Sequence, residues 1–339
     1  MEQVIADLLT PRGIEPVLVD IGASGGSPRI WQPIRELSTY VGFDPDTRDI
    51  RHPQEGEFRH ARIVHEVITA DGQTEATFFL TRSPYCSSTL RPNSRVTDNF
   101  LSADCFIVER QESAPASNLN AIIDRLGLGQ IDWMKIDTQG TDLRIYNSLR
   151  KELRDKLLAI DIEPGLRGAY VGEDLFSDVH KQLVGDGFWL SNMKVCGLVR
   201  MRKSTLDALA ARDGNGLSAE VISKCLRTTP GWTECRYLRS LESLAETGWG
   251  RREYLLLWCF ALVDKQPGFC LDLALEYAKV FGRDDVSSRM EAESLRRIDE
   301  CREEQEAAER EKARQVRVSL NPGLLRRVKR KIKRMVDRG

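Results

Sequence analysis

Acidic residues follow four apolar runs in the first half of the chain, where each run would end as a strand. These residues are Asp20, Asp44, Asp137 and Glu163. In open α/β sheets, ligands bind outside the carboxyl ends of the strands, near the point where the strand order reverses. The four carboxylates therefore predict a polar ligand cleft at one edge of a sheet. Their chemistry there would be hydrogen bonding to ligand hydroxyls and acceptance of a proton.

A glycine-rich turn follows the first run. Its sequence, Gly22-Ala23-Ser24-Gly25-Gly26, has the spacing Gly-x-x-Gly-Gly and lacks the Gly-x-Gly-x-x-Gly spacing of dinucleotide-binding sheets. Glycines let a ligand approach the backbone closely, and the N–H groups of a helix N-terminus are free to bind it. The turn suits a ligand without phosphates whose charged amino-acid end lies nearby. A tight turn in which glycine serves conformation alone explains these residues equally well.

In the second run, Tyr40–Asp46, the predicted strand ends at Asp44, 24 positions after Asp20. A carboxylate at the end of the second strand can accept both hydrogen bonds of a ribose diol. The alternative is that Asp44 caps the next turn. Its distance from the glycine turn favours the ligand interpretation, which does not separate a methyl-donor nucleoside from a nicotinamide cofactor.

The third run, Ile131–Leu143, places Lys135 and Asp137 on one face of a strand, because side chains alternate with period two. A lysine in an otherwise apolar strand is costly unless it is paired, and burial near an opposite charge also sets pKa values at functional sites. A structural ion pair is the alternative. Glu163, in the fourth run, would face the same cleft, so that two carboxylates could divide ligand binding from proton acceptance. The alternative is that Glu163 is a solvated residue that caps the end of its strand.

Short apolar runs alternate with helical stretches over residues 1–200, which predicts an α/β fold with a Rossmann-like, mostly parallel sheet flanked by helices. Asn118 is placed to cap one of these helices. Strands are predicted at Pro16–Ile21, Tyr40–Asp44, Arg62–Thr69, Thr77–Thr81, Cys105–Glu109, Ile131–Ile136, Leu157–Ile162 and Phe188–Ser191, and helices at Arg29–Leu37, Leu119–Leu126, Thr141–Lys156 and Leu175–Asp186.

The rest of the chain is expected to be helical. A sheet domain over 1–203 is followed by a helical module over 204–284, and then by a charged helix and basic tail over 285–339. Within the module, the run Tyr254–Phe260 is interpreted as core and not as a binding platform. The stretch 291–315 has too few apolar positions for a heptad seam, which predicts a solvated helix.

Residues 324–338 carry eight basic side chains and one acid, with apolar residues at helical spacing. A basic amphipathic helix suits an anionic membrane surface, which would place the protein in the cytoplasm and peripherally at the inner face of the membrane. RNA binding or a solvated tail are the alternatives. No aromatic residues are interleaved with the bases, so nucleic acid is not the expected partner.

Composition excludes several classes of protein. Of 339 residues, 41% are apolar, enough to bury a core, and a net charge of −1 disfavours a globally basic nucleic-acid binder. No apolar run reaches the roughly 18 residues of a transmembrane helix, and the acidic N-terminus does not have the pattern of a secretory signal. Eight cysteines without Cys-x-x-Cys pairs and four histidines predict reduced thiols and no metal site. The oligomeric state is left open.

Taken together, the four runs resemble the FkbM-like methyltransferases, a branch of the class I S-adenosylmethionine-dependent fold, over roughly residues 15–195. The most specific segment is Met134–Leu143, which is similar to the family's Lys-Ile-Asp-x-Glu/Gln-Gly-x-Glu-Leu signature. The segments Cys86–Leu90 with Pro92-Asn93, and Ile162–Gly165 with Tyr170 and Gly187-Phe188, also look like family features. Gln139 and Asp142 stand where many members have glutamate, which puts any acid role of residue 139 in doubt.

The resemblance implies an S-adenosylmethionine site along the strand ends. Asp20, Gly22, Ala23 and Gly25 would shape the part that holds the methionine end, and Asp44 would bind the ribose hydroxyls. The remaining residues so implied are Glu66 and Val67 beside the adenine, and Asp137 and Gln139 near the sulfonium and the amino group.

The resemblance also implies O-methylation of a hydroxyl, commonly on a sugar of a surface polysaccharide, lipopolysaccharide or glycolipid, or on a secondary metabolite. Asp137 and Glu163 are the candidate bases, with Lys135 beside them in the catalytic set and His65 a distant third. No metal is expected. The hydroxyl groups of Ser87, Ser88 and Thr89, with the amide of Asn93, are candidates for the acceptor side.

Two other classes of function remain as alternatives. A nicotinamide-dependent oxidoreductase is disfavoured by the missing Gly-x-Gly-x-x-Gly spacing. A non-catalytic scaffold, or a membrane-associated binding protein, would keep the fold and use residues 204–339.

Overall fold

The computed structural model describes residues 1–46, 48, 53–54, 56–213 and 219–319. The basic segment predicted at 324–338 lies outside these residues. The strands are β1 (Val17–Ile21), β2 (Thr39–Phe43), β3 (His60–Val64), β4 (Val67–Thr69), β5 (Glu75–Thr81), β6 (Val108–Asn118), β7 (Trp133–Ile136), β8 (Ala159–Ile162), β9 (Phe188–Leu198) and β10 (Thr229–Arg239).

Within the described residues, seven strands form the main sheet in the order β3-β2-β1-β7-β8-β10-β9. The first five strands in this order are mutually parallel, and β10 is antiparallel to both of its neighbours. The strand order reverses between β1 and β7, so the carboxyl ends of β1, β2, β7 and β8 lie at one edge. The predicted α/β class with a mostly parallel sheet is confirmed. A smaller sheet, β4-β6-β5, stands beside the main one.

Helices cover both faces of the main sheet. Period-two alternation sends Leu18 and Trp133 into one apolar core and Val19 and Met134 into another. α1, α10 and α11 pack on the first core, and α3, α4 and α6 on the second. The helices are α1 (Glu2–Leu9), α2 (Ser94–Thr97), α3 (Leu119–Arg125), α4 (Asp142–Ser148), α5 (Lys151–Arg154), α6 (Phe176–Gly185), α7 (Lys203–Asp213), α8 (Ala219–Cys225), α9 (Leu241–Thr247), α10 (Arg251–Val263), α11 (Pro267–Phe281) and α12 (Asp285–Ser319).

The region 204–284 is not purely helical, because it supplies β10 to the interior of the main sheet. The expected boundary at residue 203 therefore falls within the chain segment that builds this sheet. The strand alternates buried Thr233, Cys235 and Tyr237 with the less buried Glu234 and Arg236. The run Tyr254–Phe260 in α10 is fully buried, which confirms its interpretation as core.

Four predicted elements differ from the structure. The helix predicted at Arg29–Leu37 is two short 3₁₀ turns, Arg29–Trp31 and Arg35–Leu37, on either side of Pro33, which cannot donate a backbone hydrogen bond. The strand predicted at Arg62–Thr69 is divided between β3 and β4, which belong to different sheets.

The helix predicted at Thr141–Lys156 is α4 and α5, separated by an extended Leu149. The strand predicted at Cys105–Glu109 begins too early, because Leu101–Phe106 is a 3₁₀ helix and β6 runs from Val108 to Asn118. β6 is long but polar and largely exposed, so no apolar pattern marks it. The predicted Asn118 cap is present, since its side chain accepts from the N–H of Asn120 at 2.8 Å.

The last described helix, α12, begins against the body and then extends into solvent. Val286 and Met290 are buried, whereas residues 301–315 are exposed. The solvated helix predicted over 291–315 is therefore confirmed for residues 301–315, the greater part of that stretch. No described helix is both long enough and apolar enough to cross a bilayer.

Candidate functional site

The carboxyl ends of β1, β2 and β7 meet at the turn that begins with Gly22. The N–H groups of Gly22 and Ala23 both donate to the carbonyl of Phe43, at 2.8 and 3.1 Å. Gly22 has a φ of +86°, and a Cβ atom on it would lie 2.0 Å from the carbonyl oxygen of Asp137. Glycine is required here because any side chain would force β1 and β7 apart.

A cleft of about 680 Å³ opens at this edge of the sheet, and we call it the strand-end cleft. Asp20, Ala23 and Gly25, which were predicted to bind the cofactor, do not line it. The described residues that line it are Ile21, Gly22, Ser24, Phe43, Asp44, Pro45, Asp46, Glu66, Val67, Ile68, Phe78, Pro84, Tyr85, Ser87, Thr89, Asp137, Thr138, Gln139 and Thr141.

The strand-end cleft is acidic. Asp44, Asp46, Glu66 and Asp137 line it, and none of the described residues lining it is a lysine or an arginine. Burial raises the pKa of Asp44, although its Oδ1 accepts the N–H of Asp46 at 2.8 Å. The surplus of carboxylates suits a ligand that carries positive charge and hydroxyl groups.

Two of these acids are partly neutralised from outside the cleft. Asp46 pairs with Arg48 at 2.6 Å, and Glu66 pairs with Arg125 at 2.6 Å. Burial opposes the charge of Glu66, but hydrogen bonds from Ser117 and Arg125 lower its pKa overall. Both acids are therefore held in fixed positions at the wall of the cleft.

Lys135 lies behind the cleft, between two predicted site acids. Its Nζ is 3.5 Å from Asp20 Oδ1, 3.7 Å from Asp137 Oδ2 and 3.4 Å from the carbonyl of Gly22. Burial alone would lower the pKa of Lys135, but the surrounding carboxylates raise it above its ordinary value. The ion pair considered from the sequence is therefore present, and Lys135 holds Asp137 in position.

A row of charged side chains crosses the sheet at the level of Lys135. The register of β1, β7, β8 and β10 sets Asp20, Lys135, Asp161 and Arg236 side by side. Arg236 is 2.6 Å from Asp161 and 2.6 Å from Asp264. Charges alternate along this row, so each buried carboxylate in it lies beside a cation. We call it the charged row.

Gln139 joins the cleft to the loop that carries Tyr170. Its Nε2 donates to Asp137 Oδ1 at 2.6 Å, and the Tyr170 hydroxyl donates to its Oε1 at 3.0 Å. The same hydroxyl lies 2.9 Å from the carbonyl of Cys86. Gln139 has a φ of +57°, a strained conformation for a residue with a side chain. Its amide donates to Asp137, which an ionised glutamate in this position would not do.

A second space of about 1,020 Å³, which we call the adjoining pocket, shares Tyr85, Asp137 and Gln139 with the strand-end cleft. Asp137 thus lies in the wall between two pockets. The described residues lining the adjoining pocket are Tyr85, Cys86, Ser102, Cys105, Phe106, Asp137, Gln139, Gly140, Glu163, Gly165, Arg167, Ala169, Tyr170, Glu173, Leu198, Gly231, Trp232 and Glu234.

Glu163 lines the adjoining pocket and is the most strongly perturbed acid of the site. Burial raises its pKa to about 9, and the charge of Asp137 adds to this effect while Lys135 opposes it. Burial also raises the pKa of Asp142 to about 7, and its Oδ1 accepts the N–H of Thr138 at 2.9 Å. The two acids that Asp137 influences most therefore keep their protons at higher pH than usual.

The other residues proposed from the sequence for the acceptor side or as a base lie in different places in the structure. Ser87 and Thr89 line the strand-end cleft and not the adjoining pocket. Ser88 donates to the carbonyl of Gln139 at 2.9 Å and so supports the loop. His65 is not among the described residues that line either pocket.

Sequence reasoning missed Arg167 and Trp232, which both line the adjoining pocket. Trp232 lies on β10, and the alternation of that strand was the signal that could have located it. Arg167 stands in the loop between β8 and α6, where no sequence pattern distinguishes it. No cluster of histidine, cysteine and acidic residues suited to a metal ion occurs within the described ranges.

Comparison with known proteins adds no relative. No protein-family model matches the chain, and no curated protein matches it.

Proposed function

We propose that the protein is an S-adenosylmethionine-dependent O-methyltransferase that acts on a hydroxyl of a sugar or a related acceptor. The observation that carries the proposal is the negative charge of the strand-end cleft. Four carboxylates line it, and none of its described lining residues is a lysine or an arginine. A methyl donor with a sulfonium and an ammonium group suits such a cleft. The pyrophosphate of a nicotinamide dinucleotide does not.

The residues of the cleft fit the three parts of this donor. Asp44, at the end of β2, would suit a ribose diol, and Asp137, at the end of β7, would suit the cationic end. Val67, Ile68 and Phe78 provide an apolar wall suited to a purine ring. The ribose, the cationic end and the purine therefore each have a counterpart of matching polarity.

The strand order also favours the methyltransferase over the oxidoreductase. Dinucleotide-binding sheets have the order 3-2-1-4-5-6. In this sheet the reversed strand β10 is inserted between β8 and β9. Together with the Gly-x-x-Gly-Gly turn, this departure supports a ligand other than a dinucleotide.

Methyl transfer breaks the bond between the methyl carbon and the sulfonium sulfur, which keeps the electron pair, and forms a bond from that carbon to the acceptor oxygen. The hydroxyl proton must leave as this bond forms. Glu163 is the base that we propose, because it lines the adjoining pocket; with a pKa of about 9 it acts through its ionised form, which is the minority form below pH 9 but a strong proton acceptor. Asp137 faces the donor in this proposal and is held in position by Lys135 and Gln139.

Calorimetric titration with S-adenosylmethionine and S-adenosylhomocysteine tests the proposal. We expect the wild type to bind in the micromolar range, with a binding free energy of about −8 kcal/mol. Asp44→Ala should weaken binding at least about 100-fold, since one carboxylate serves two ribose hydroxyls. Asp71→Ala, at an exposed acid outside the cleft, is the matched control.

The outcomes separate the alternatives. Circular dichroism verifies that each variant is folded, and Asp44→Asn serves if the alanine variant is not. A folded wild type that binds neither compound would overturn the proposal and favour the scaffold. Binding of NADH in place of both compounds would favour the oxidoreductase.

A further inference from the structure

Arg167 lies in the wall of the adjoining pocket with its guanidinium group over an aromatic ring. Its Cζ is 4.0 Å from the ring centre of Phe100 and 5.9 Å from that of Phe106. Its Nε and Nη1 are buried and have no hydrogen-bond partner among the residues that the structure describes. Burial lowers the pKa of Arg167, and the nearby charge of Glu173 opposes this effect through space.

Several other interior arginines have partners for their donors, although the buried Nε of Arg154 also lacks one. Arg236 pairs with Asp161 and Asp264, and Arg252 donates to both carboxylate oxygens of Asp132. A buried guanidinium with free donors is costly unless an anion completes it. The aromatic ring beneath Arg167 holds the guanidinium plane but accepts no conventional hydrogen bond. The adjoining pocket therefore has in its wall a cation whose hydrogen bonds are incomplete.

The rest of this pocket suits a hydroxylated ring. Tyr85, Tyr170 and Trp232 provide aromatic surface, and the indole of Trp232 remains 36% exposed. Glu163 and Glu173 provide carboxyl groups that can bond to hydroxyls. Aromatic surface together with convergent polar groups is the usual composition of a site for a small polar ligand.

We infer that the adjoining pocket binds an acidic sugar, a hydroxylated ring bearing one carboxylate, and that Arg167 binds this carboxylate. The inference deepens the proposed function, on which it rests, by naming the class of acceptor. A phosphate ester is disfavoured because a dianion would meet one free guanidinium among several acids. A single carboxylate carries about half the charge of that dianion, so the acids of the pocket repel it less.

Ligand-observed NMR titration tests this inference in the presence of S-adenosylhomocysteine. The probes are methyl β-glucuronide, the neutral methyl β-glucoside and glucose 1-phosphate. We expect wild type to bind the glucuronide at least about tenfold more tightly than the other two probes. Arg167→Met should remove this preference, and Arg167→Lys, which keeps the charge without the planar fork, should retain part of it.

Arg91→Met is the matched control, because Arg91 also stacks on a ring, that of Phe79, but does not line the pocket. It should leave the preference unchanged. Equal binding of the glucuronide to wild type and Arg167→Met would overturn the inference, as would tighter binding of the phosphate. Titration of the same variants with S-adenosylhomocysteine alone separates this failure from failure of the donor site.

Discussion

At the scale of single residues, burial sets the acids of the site apart from one another. It raises the pKa of Asp20 to about 6 and that of Glu163 to about 9. The difference follows from their neighbours, since Lys135 is 3.5 Å from Asp20, whereas Glu163 is near the like charges of Asp137 and Glu234. Equivalent side chains at neighbouring strand ends thus acquire different affinities for a proton.

Glu163→Gln should stabilise the protein at alkaline pH. Because burial raises the folded-state pKa of Glu163 from about 4.5 to about 9, its contribution to stability is complete below pH 4.5 and is lost as the pH rises through 9. The glutamine of the variant does not ionise, so the variant does not lose stability in this way as the pH rises. Its free energy of unfolding should exceed that of wild type by on the order of 1 kcal/mol or more at pH 9, and by less at pH 5.

Urea denaturation at both pH values measures this difference. Glu152→Gln, at an exposed position, should show the same small effect at pH 5 and pH 9. A Glu163→Gln variant with a pH-independent effect would refute the assigned pKa.

The sequence located the acids of the site better than the other side chains. Asp44 and Asp137 could be predicted because a parallel strand that ends in an acid directs it to one edge of the sheet. Arg167 and Trp232 could not, since a loop and an antiparallel strand bring them to the pocket from distant parts of the chain. The burial of Asp20 behind the cleft also depends on packing that no local pattern encodes.

At the scale of elements, one turn holds together three strand ends. The N–H of Gly22 bonds to the carbonyl of Phe43 at the end of β2, and its Cα faces the carbonyl of Asp137 at the end of β7. The spacing of these strands at the site is therefore set by the absence of a side chain. The turn has a structural reason to contain glycine that is separate from any ligand.

Gly22→Ala should destabilise the fold far more than Gly13→Ala. Both residues have positive φ, but a Cβ at Gly22 would lie 2.0 Å from a carbonyl oxygen, whereas one at Gly13 would meet no atom within 4 Å. Gly13→Ala should cost about 1 kcal/mol, from backbone strain alone. Gly22→Ala should cost at least about 3 kcal/mol, measured by urea denaturation. Equal costs would mean that the turn relaxes freely.

At the scale of the whole molecule, the region after residue 203 is part of the same body as the strands before it. β10 completes the main sheet, and α10 fills the core beneath β1 and β7. Arg252 on α10 donates to both oxygens of Asp132 at 2.8 Å, and Asp132 also accepts the N–H of Val17. This contact fastens the C-terminal helices to the end of the sheet opposite the site.

Arg252→Met should therefore destabilise the whole molecule, by about 3 kcal/mol, because it leaves the buried Asp132 without its cation. Arg150→Met, which breaks an exposed pair with Asp124, should cost less than about 1 kcal/mol. Thermal unfolding followed by circular dichroism and by tryptophan fluorescence compares the two. If Arg252→Met unfolded only the C-terminal helices, the two probes would give different midpoints and the single body would be disproved.

The parallel core of the fold was predictable, whereas its antiparallel additions were not. β1, β7 and β8 are buried on both faces, and apart from one charged residue in each their residues are apolar, which makes them recognisable as strands in the sequence. β10 mixes Thr233 and Tyr237 with charged residues, and β6 is polar along most of its length. Strands of that kind form by pairing with strands that are distant in the chain, and composition alone does not reveal them.

The charged row and the exposed part of α12 differ in their sensitivity to ionic strength. Raising salt from about 0.1 to 1 M shortens the Debye length from about 10 to 3 Å, which screens charges that water can reach. The pairs Arg302–Asp299 and Arg310–Glu306 on α12 are of this kind, whereas Lys135 and Arg236 have side chains only 17% exposed. Concentrated salt therefore weakens the long helix while leaving the electrostatics at the centre of the sheet almost unchanged.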